Sequence, residues 1–302
     1  MNRIARRLPE RHAQGHRRPP LWLLLALLTL PPAALAQTYE VIDCPDSSYT
    51  EARSINERGD IVGICEDANG EHGFFLRHGT FTLIDHPDAI GSTAAFGVNN
   101  RGDVVGRYGV NGVAYGYLLR NGRFTTIGPP GATFTAARGI DDLGRIVGFF
   151  GREDGVVRGF LLDARGYHDI EFPGASATGA LDINALKRIV GGWWDANDVP
   201  HGYLLKKGVF TSIDPPGATG SNAHGINILG HIVGGWSEDP GCPHCFVKAF
   251  LLTPQGFENL EFPGGLETVA NGINAFGQIV GAYFGKDELF HGFLRTTDHD
   301  DD

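Results

Sequence analysis

A chain of 302 residues with 44 glycines, one methionine and a net charge of −10 is long enough to bury a sizeable core. The acidity argues against nucleic acid and anionic lipid as partners. The glycine excess points to turns and strands rather than helices.

Residues 1–36 read as a leader rather than as part of the fold. Arg3, Arg6, Arg7, Arg11, Arg17 and Arg18 precede an apolar run, Leu21–Leu30, which is followed by Ala34-Leu35-Ala36. This order is that of a secretory signal peptide cleaved after Ala36, and the run is too short to span a membrane. Arg17-Arg18 leaves a twin-arginine route as an alternative. The mature chain, 37–302, carries 19 basic and 34 acidic residues, with no membrane span expected in it. A secreted or periplasmic protein is the expectation.

The mature sequence is dominated by repetition. The phrase Gly-Ile-Asn-x-x-Gly-x-Ile-Val-Gly recurs six times, with its Asn/Asp at Asn56, Asn99, Asp141, Asn184, Asn227 and Asn274. A second phrase follows each copy, as in His72-Gly73-Phe74 and His291-Gly292-Phe293. A third, of the form Phe-Thr-x-Ile-Asp, begins at Phe81, Phe124, Tyr167, Phe210 and Phe257. The sixth copy lacks it, and a matching segment, Thr38–Pro45, stands at the other end. Each repeat predicts four short strands, a to d. The first-to-second turn is built on Asn and Gly, residues that tolerate the left-handed region. Lys187 replaces that Gly in the fourth copy, which predicts a different turn there. The expected fold is all-β: a six-bladed β-propeller of four-stranded blades over 37–297, closed by the N-terminal strand completing the last blade. Residues 298–302 are expected to be an acidic, solvated tail.

The motifs Gly-Ile-Asn, Ile-Val-Gly and His-Gly-Phe-Leu resemble the bacterial extracellular HAF repeat over nearly all of the mature chain. That resemblance implies no particular activity. Tyr115, Arg158 and Lys248 stand where the repeat has His, which argues against a shared histidine ligand.

Comparing the copies separates scaffold from candidate site. Thr50, Thr93, Thr135, Thr178, Ser221 and Thr268 read as packing positions, as does the alanine set that includes Ala52 and Ala95. Two positions on the innermost strand vary. One holds Arg53, Phe96, Arg138, Leu181, His224 and Asn271; the other includes Glu51 and Asn222. Variation on a fixed frame is where a grafted site is sought. The candidate channel cluster is Glu51, Arg53, Arg138, Asn222, His224 and Asn271. Its two arginines suit an anionic group such as the carboxylate of an acidic sugar.

The loops between the second and third strands add aromatics beside acids, the pairing that sugar sites use. Trp194, Asp195 and Trp236 are the candidates. Trp236 aligns with Tyr108, Phe150 and Tyr283, so it also reads as repeat core. The loop acids could hold Ca²⁺, but none matches a D-x-[DN]-x-[DN]-G loop, and no cofactor is otherwise expected.

Four cysteines in an exported chain predict disulfides. Cys44 with Cys65 would pin the closing strand. Cys242 with Cys245 would brace the enlarged fifth loop, with a redox pair or a metal site using His244 as alternatives. No G-x-S-x-G, H-E-x-x-H, phosphate-loop or dinucleotide phrase occurs. The leading expectation is a secreted binding or interaction module, with carbohydrate or another extracytoplasmic protein as partner. The alternatives are a propeller hydrolase or lyase at the channel, and a structural envelope component.

Overall fold

The computed structural model describes residues 37–242 and 244–297, so the leader and the acidic tail lie outside the described residues. The described residues form twenty-four strands and no helix. After β1 (Gln37–Ile42), the first repeat gives β2 (Tyr49–Ile55), β3 (Ile61–Asp67), β4 (Gly70–Arg77) and β5 (Thr80–Ile84). The second gives β6 (Thr93–Val98), β7 (Val104–Val110), β8 (Val113–Arg120) and β9 (Arg123–Ile127). The third gives β10 (Phe134–Ile140), β11 (Ile146–Gly151), β12 (Val157–Asp163) and β13 (Gly166–Ile170). The fourth gives β14 (Ala177–Ile183), β15 (Ile189–Trp194), β16 (Pro200–Lys206) and β17 (Val209–Ile213). The fifth gives β18 (Gly220–Ile226), β19 (Ile232–Ser237), β20 (Lys248–Thr253) and β21 (Gly256–Leu260). The sixth gives β22 (Glu267–Ile273), β23 (Ile279–Phe284) and β24 (Phe290–Thr297).

Within each repeat, sequential strands pair antiparallel in the order of the chain. The sixth repeat takes its fourth strand from the other end of the chain. β1 runs antiparallel to β24 from Gln37↔Thr297 to Ile42↔Gly292. One parallel bridge, Tyr49↔Phe290, joins this sheet to that of the first repeat.

The repeated residues have repeated jobs. In the first turn, Asn56 Oδ1 accepts the backbone N–H of Arg58 and of Asp60 (2.9 and 3.0 Å), and Gly59, at φ 77°, donates to the Asn56 carbonyl. The turn expected to differ at Lys187 does not. Lys187 sits at φ 56°, and its N–H donates to the Asn184 carbonyl at 2.9 Å as the glycines do. The sheet pairing on either side fixes the turn, and the lysine accepts the strain.

The Gly of Ile-Val-Gly answers a close approach. A Cβ on Gly63 would collide with the Glu51 carbonyl across the ladder and with the ring of Phe74. The threonines expected to pack also tie the crossover between sheets. Thr50 Oγ1 accepts the Cys44 N–H, Thr93 that of His86 and Thr178 that of Phe172, at 3.0–3.1 Å.

The core lies between successive sheets. Val62 and Ile84 of the first repeat, for example, pack with Ala95, Val98 and Tyr117 of the second. Val280 of the last packs likewise with Ala52 and Ile61 of the first. Burying each Val or Ile among them contributes about 1.5–3 kcal/mol.

Both expected disulfides are present, Cys44–Cys65 and Cys242–Cys245, with Cα atoms 6.2 and 5.3 Å apart. The first links the segment after β1 to the end of β3.

Candidate functional site

The site begins with a defect repeated six times. In β2 the pairing register to β3 skips from Ala52 to Ser54. The same β-bulge falls in β6, β10, β14, β18 and β22, between the alanine and the residue two places on. The residues left out of the ladder are Arg53, Phe96, Arg138, Leu181, His224 and Asn271. These are the residues at the variable position of the repeat. A bulge releases a side chain from the alternation of the pleat and re-aims it. All six line one cavity of about 420 Å³.

The cavity is layered. Next to the bulge residues its wall is aliphatic, from Ile55, Val98, Ile140, Ile183, Ile226 and Ile273. Beyond them stand the turn asparagines, and the lining ends on exposed residues that include Asp142, Ala185, Ile228 and Phe276. The mouth therefore lies among the first-to-second-strand turns. The loops carrying Trp194 and Asp195 follow the far end of the second strands.

Charge is distributed unevenly among the bulge residues. Glu51, behind them and 7% exposed, accepts hydrogen bonds from Tyr49 Oη (2.6 Å) and Asn271 Nδ2 (2.9 Å) and pairs with Arg53 Nη2 (2.7 Å). Arg53 is thereby neutralised. Arg138 has no such partner: among the described residues, no carboxylate bonds to it. Its guanidinium lies over Phe96, 4.0 Å from the ring centroid, with Arg53 at 5.7 Å from the same ring. Burial, then the Arg53 charge, lower its pKa to about 9, so it remains a cation at neutral pH. Arg53 Nε and Asn271 Oδ1 are buried without a hydrogen-bond partner among the described residues.

His224 is held as a neutral ring. Burial and the nearby Arg53 push it down to about 4, and Nδ1 lies 3.1 Å from the Ala270 carbonyl. Nδ1 therefore carries the proton and donates, which leaves Nε2 as an acceptor.

Asp182 was not among the candidates from sequence. It lines the cavity beside Leu181, and its carboxylate accepts the N–H of Ile183 (2.8 Å) and of Ile226 (2.9 Å). Burial raises it to about 7 against these bonds. The signal was available: four repeats have Gly at this register, and only Ser54 and Asp182 depart.

The other candidates lie elsewhere. Asn222 is buried with its amide where a Cβ on Gly192 would fall, outside the cavity lining. Asp195 is occupied by its own loop, accepting from the N–H groups of Asn197 and Val199. Trp236 is 5% exposed, with the Lys248 ammonium 5.1 Å from its ring. Trp194 is half-buried, and its carbonyl accepts from Ser176. Of the acids weighed for Ca²⁺, Asp67 is similarly engaged: it accepts from the Asn69 N–H at 2.6 Å and meets His72 Nε2 at 3.2 Å. Among the described residues, no group of three or more His, Cys, Asp or Glu is placed to hold a metal.

The histidines of the third strand are braces between acids. His72 bridges Asp85 and Asp67, and His291 bridges Asp43 and Asp287. Arg158 bridges Glu171 and Asp154 in the same way, which explains why the position need not be His.

No protein-family model matches the chain, and no curated protein matches it. Among solved structures it is similar to AofleA from Arthrobotrys oligospora, with 10% identity over 87% of this chain and 84% of that one and a TM-score of 0.49. It is also similar to a variant of Aleuria aurantia lectin in complex with α-methyl-L-fucoside, with 12% identity, 70% and 76% covered, and a TM-score of 0.43. A further structure of that lectin, described as a six-bladed β-propeller with a novel fucose recognition mode, gives 11% identity, 82% and 74% covered, and a TM-score of 0.37.

Proposed function

We propose that the six sheets close into a six-bladed β-propeller, and that the chain is an exported binding module. Its ligand is a small acidic molecule, acidic sugars among the candidates, held in the cavity by Arg138. Closure is supported by the β1–β24 pairing and by the packing of Val280 against Ala52. Export is supported by the basic and apolar leader and by the two disulfides. The HAF-repeat resemblance belongs to the same reading.

One observation carries the ligand assignment. Arg138 is a cation in a cavity wall with no acid bonded to it among the described residues, beside Arg53, whose charge Glu51 already balances. A half-buried cation without a counter-charge is costly, and an incoming carboxylate would relieve that cost.

Calorimetric titration of the exported protein with acetate, glucuronate and galacturonate tests this. At least one acid should bind, and Arg138→Gln, folded by thermal melting, should bind it roughly tenfold or more weakly. Equal affinity in both proteins would overturn the assignment.

A second reading, a hydrolase or lyase at the same cavity, is favoured by Asp182. It is a carboxyl with its pKa near 7 on the wall that holds the arginines, the property of a general acid or base. Turnover of an acidic glycan that Asp182→Asn abolishes would select it over simple binding.

A further inference from the structure

The order of chemistry along the cavity says more than that an anion is wanted. At the bulge residues there is cationic and amide chemistry. The middle is mostly aliphatic, with six Ile and Val side chains, and Asp182 is the acid among them, its carboxylate accepting the N–H groups of Ile183 and Ile226. At the mouth the repeats divide. The first two place Glu57-Arg58 and Asn100-Arg101 there. The later ones place Leu143 (72% exposed), Leu186 (57%), Leu229 (60%) and Phe276 (61%) at the same turn position. An arc of exposed large apolar side chains on one side of a cavity mouth marks a contact surface. Beyond the turn asparagines, Phe276 of this arc and its neighbour Ile228 reach the cavity lining, while Leu143, Leu186 and Leu229 stand at the same turns outside it.

We infer that the preferred ligand is an amphipathic carboxylate: its acid group on Arg138, its hydrocarbon body against the isoleucine level, and its far end over Phe276 and Leu229. This rests on the binding reading above and narrows it. A bare sugar acid would set most of its hydroxyls against the aliphatic level, where the Asp182 carboxyl is already bonded to the Ile183 and Ile226 N–H groups, and it would leave the apolar arc wet. A hydrocarbon body loses nothing there. The arrangement is also directional, because the unbalanced cation lies at the inner end and the apolar arc at the opening.

The test is a titration of the exported protein with straight-chain carboxylates of two, six, eight and ten carbons, below their micelle concentrations, beside glucuronate. Affinity should rise about two- to fourfold per added methylene over the length that fits. Decanoate should exceed glucuronate, and octan-1-ol, which lacks the acid, should bind more weakly than octanoate. Phe276→Ser and Leu229→Ser alter exposed turn residues. They should weaken decanoate several-fold while leaving hexanoate nearly unchanged. Carboxylates that bind without dependence on chain length, or glucuronate binding more tightly than decanoate, would overturn this inference and leave the acidic-ligand reading standing. Absence of binding by every acid would overturn both.

Discussion

Asn274 Nδ2 donates to the backbone carbonyl of Asn56, 3.1 Å away and 218 residues earlier in the chain. The same bond joins Asn56 to Asn99, Asn99 to Asp141, Asn184 to Asn227 and Asn227 to Asn274. Asp141 has no amide to give. There Arg145, paired with Asp141, reaches the carbonyls of Asn184 (3.4 Å) and Ala185 (2.9 Å) instead. Every repeat is thus tied to the next through a buried turn, and the last is tied to the first.

Asn274→Ala removes that tie and leaves the buried Asn56 carbonyl with the Gly59 N–H as its remaining donor. It also removes the Oδ1 that accepts from Phe276 and Gln278. The expected cost is about 2–3 kcal/mol, a fall in Tm of roughly 5–10 °C by calorimetry. An unchanged Tm would mean that the first and last repeats do not depend on this contact.

The frame was legible because each constraint was written six times. The Asn turn, the close-approach Gly and the fully buried Ala survive comparison between copies. The site was half legible. Arg53, Arg138, His224 and Asn271 stood out as variable, and the bulge explains why they can vary: their side chains leave the ladder. Glu51 and Asn222, two places earlier, remain in the ladder and lie outside the cavity lining, and Glu51 acts on it through Arg53 and Asn271. Asp182 was missed because a single departure from Gly resembles drift until its carboxylate is seen in the wall. Trp236 is buried as its alignment with Tyr108, Phe150 and Tyr283 implies, whereas Asp195 misled, since loop chemistry in sequence does not reveal which groups the loop itself consumes.

The repeat also identifies its own misfits. Four repeats place Phe on the third strand, at Phe74, Phe160, Phe250 and Phe293. The second and fourth place Tyr117 and Tyr203 there, fully buried, each with a hydroxyl that has no partner among the described residues. Tyr203→Phe should therefore stabilise by about 1 kcal/mol, and Tyr117→Phe by a similar amount. Urea unfolding of the single and double variants would measure it. A loss of stability would show that the hydroxyls are satisfied by buried water.

Lys187 carries strain of a different kind. It holds φ 56° at a position where five other repeats have Gly between 76° and 89°. Its ammonium lies 3.3 Å from Asp163 with both side chains partly exposed, a pair worth little. Relief of the backbone should win, and Lys187→Gly should gain about 0.5–1 kcal/mol. A drop in midpoint denaturant concentration would assign the larger share to the ion pair.

Asp182 makes a prediction in pH. Burial holds its folded pKa near 7, above the ordinary aspartate value of 3.8, with Asp141 adding to the rise and the Ile226 and Ile183 N–H groups opposing it. Between those two values the folded state binds the proton and the unfolded chain does not. Stability from this group is therefore complete below about pH 4 and is lost as pH rises through 7. Asp182→Asn keeps one of the two backbone bonds and cannot titrate. Its absolute stability can move either way, but its slope against pH from 4 to 7 should be shallower than that of the wild type. The ligand should follow the same proton. Above pH 7 the wall gains a negative charge, so a bound carboxylate should weaken in the wild type and not in the variant. Matching slopes in wild type and variant, in both unfolding and binding, would mean that Asp182 is already ionised throughout this range.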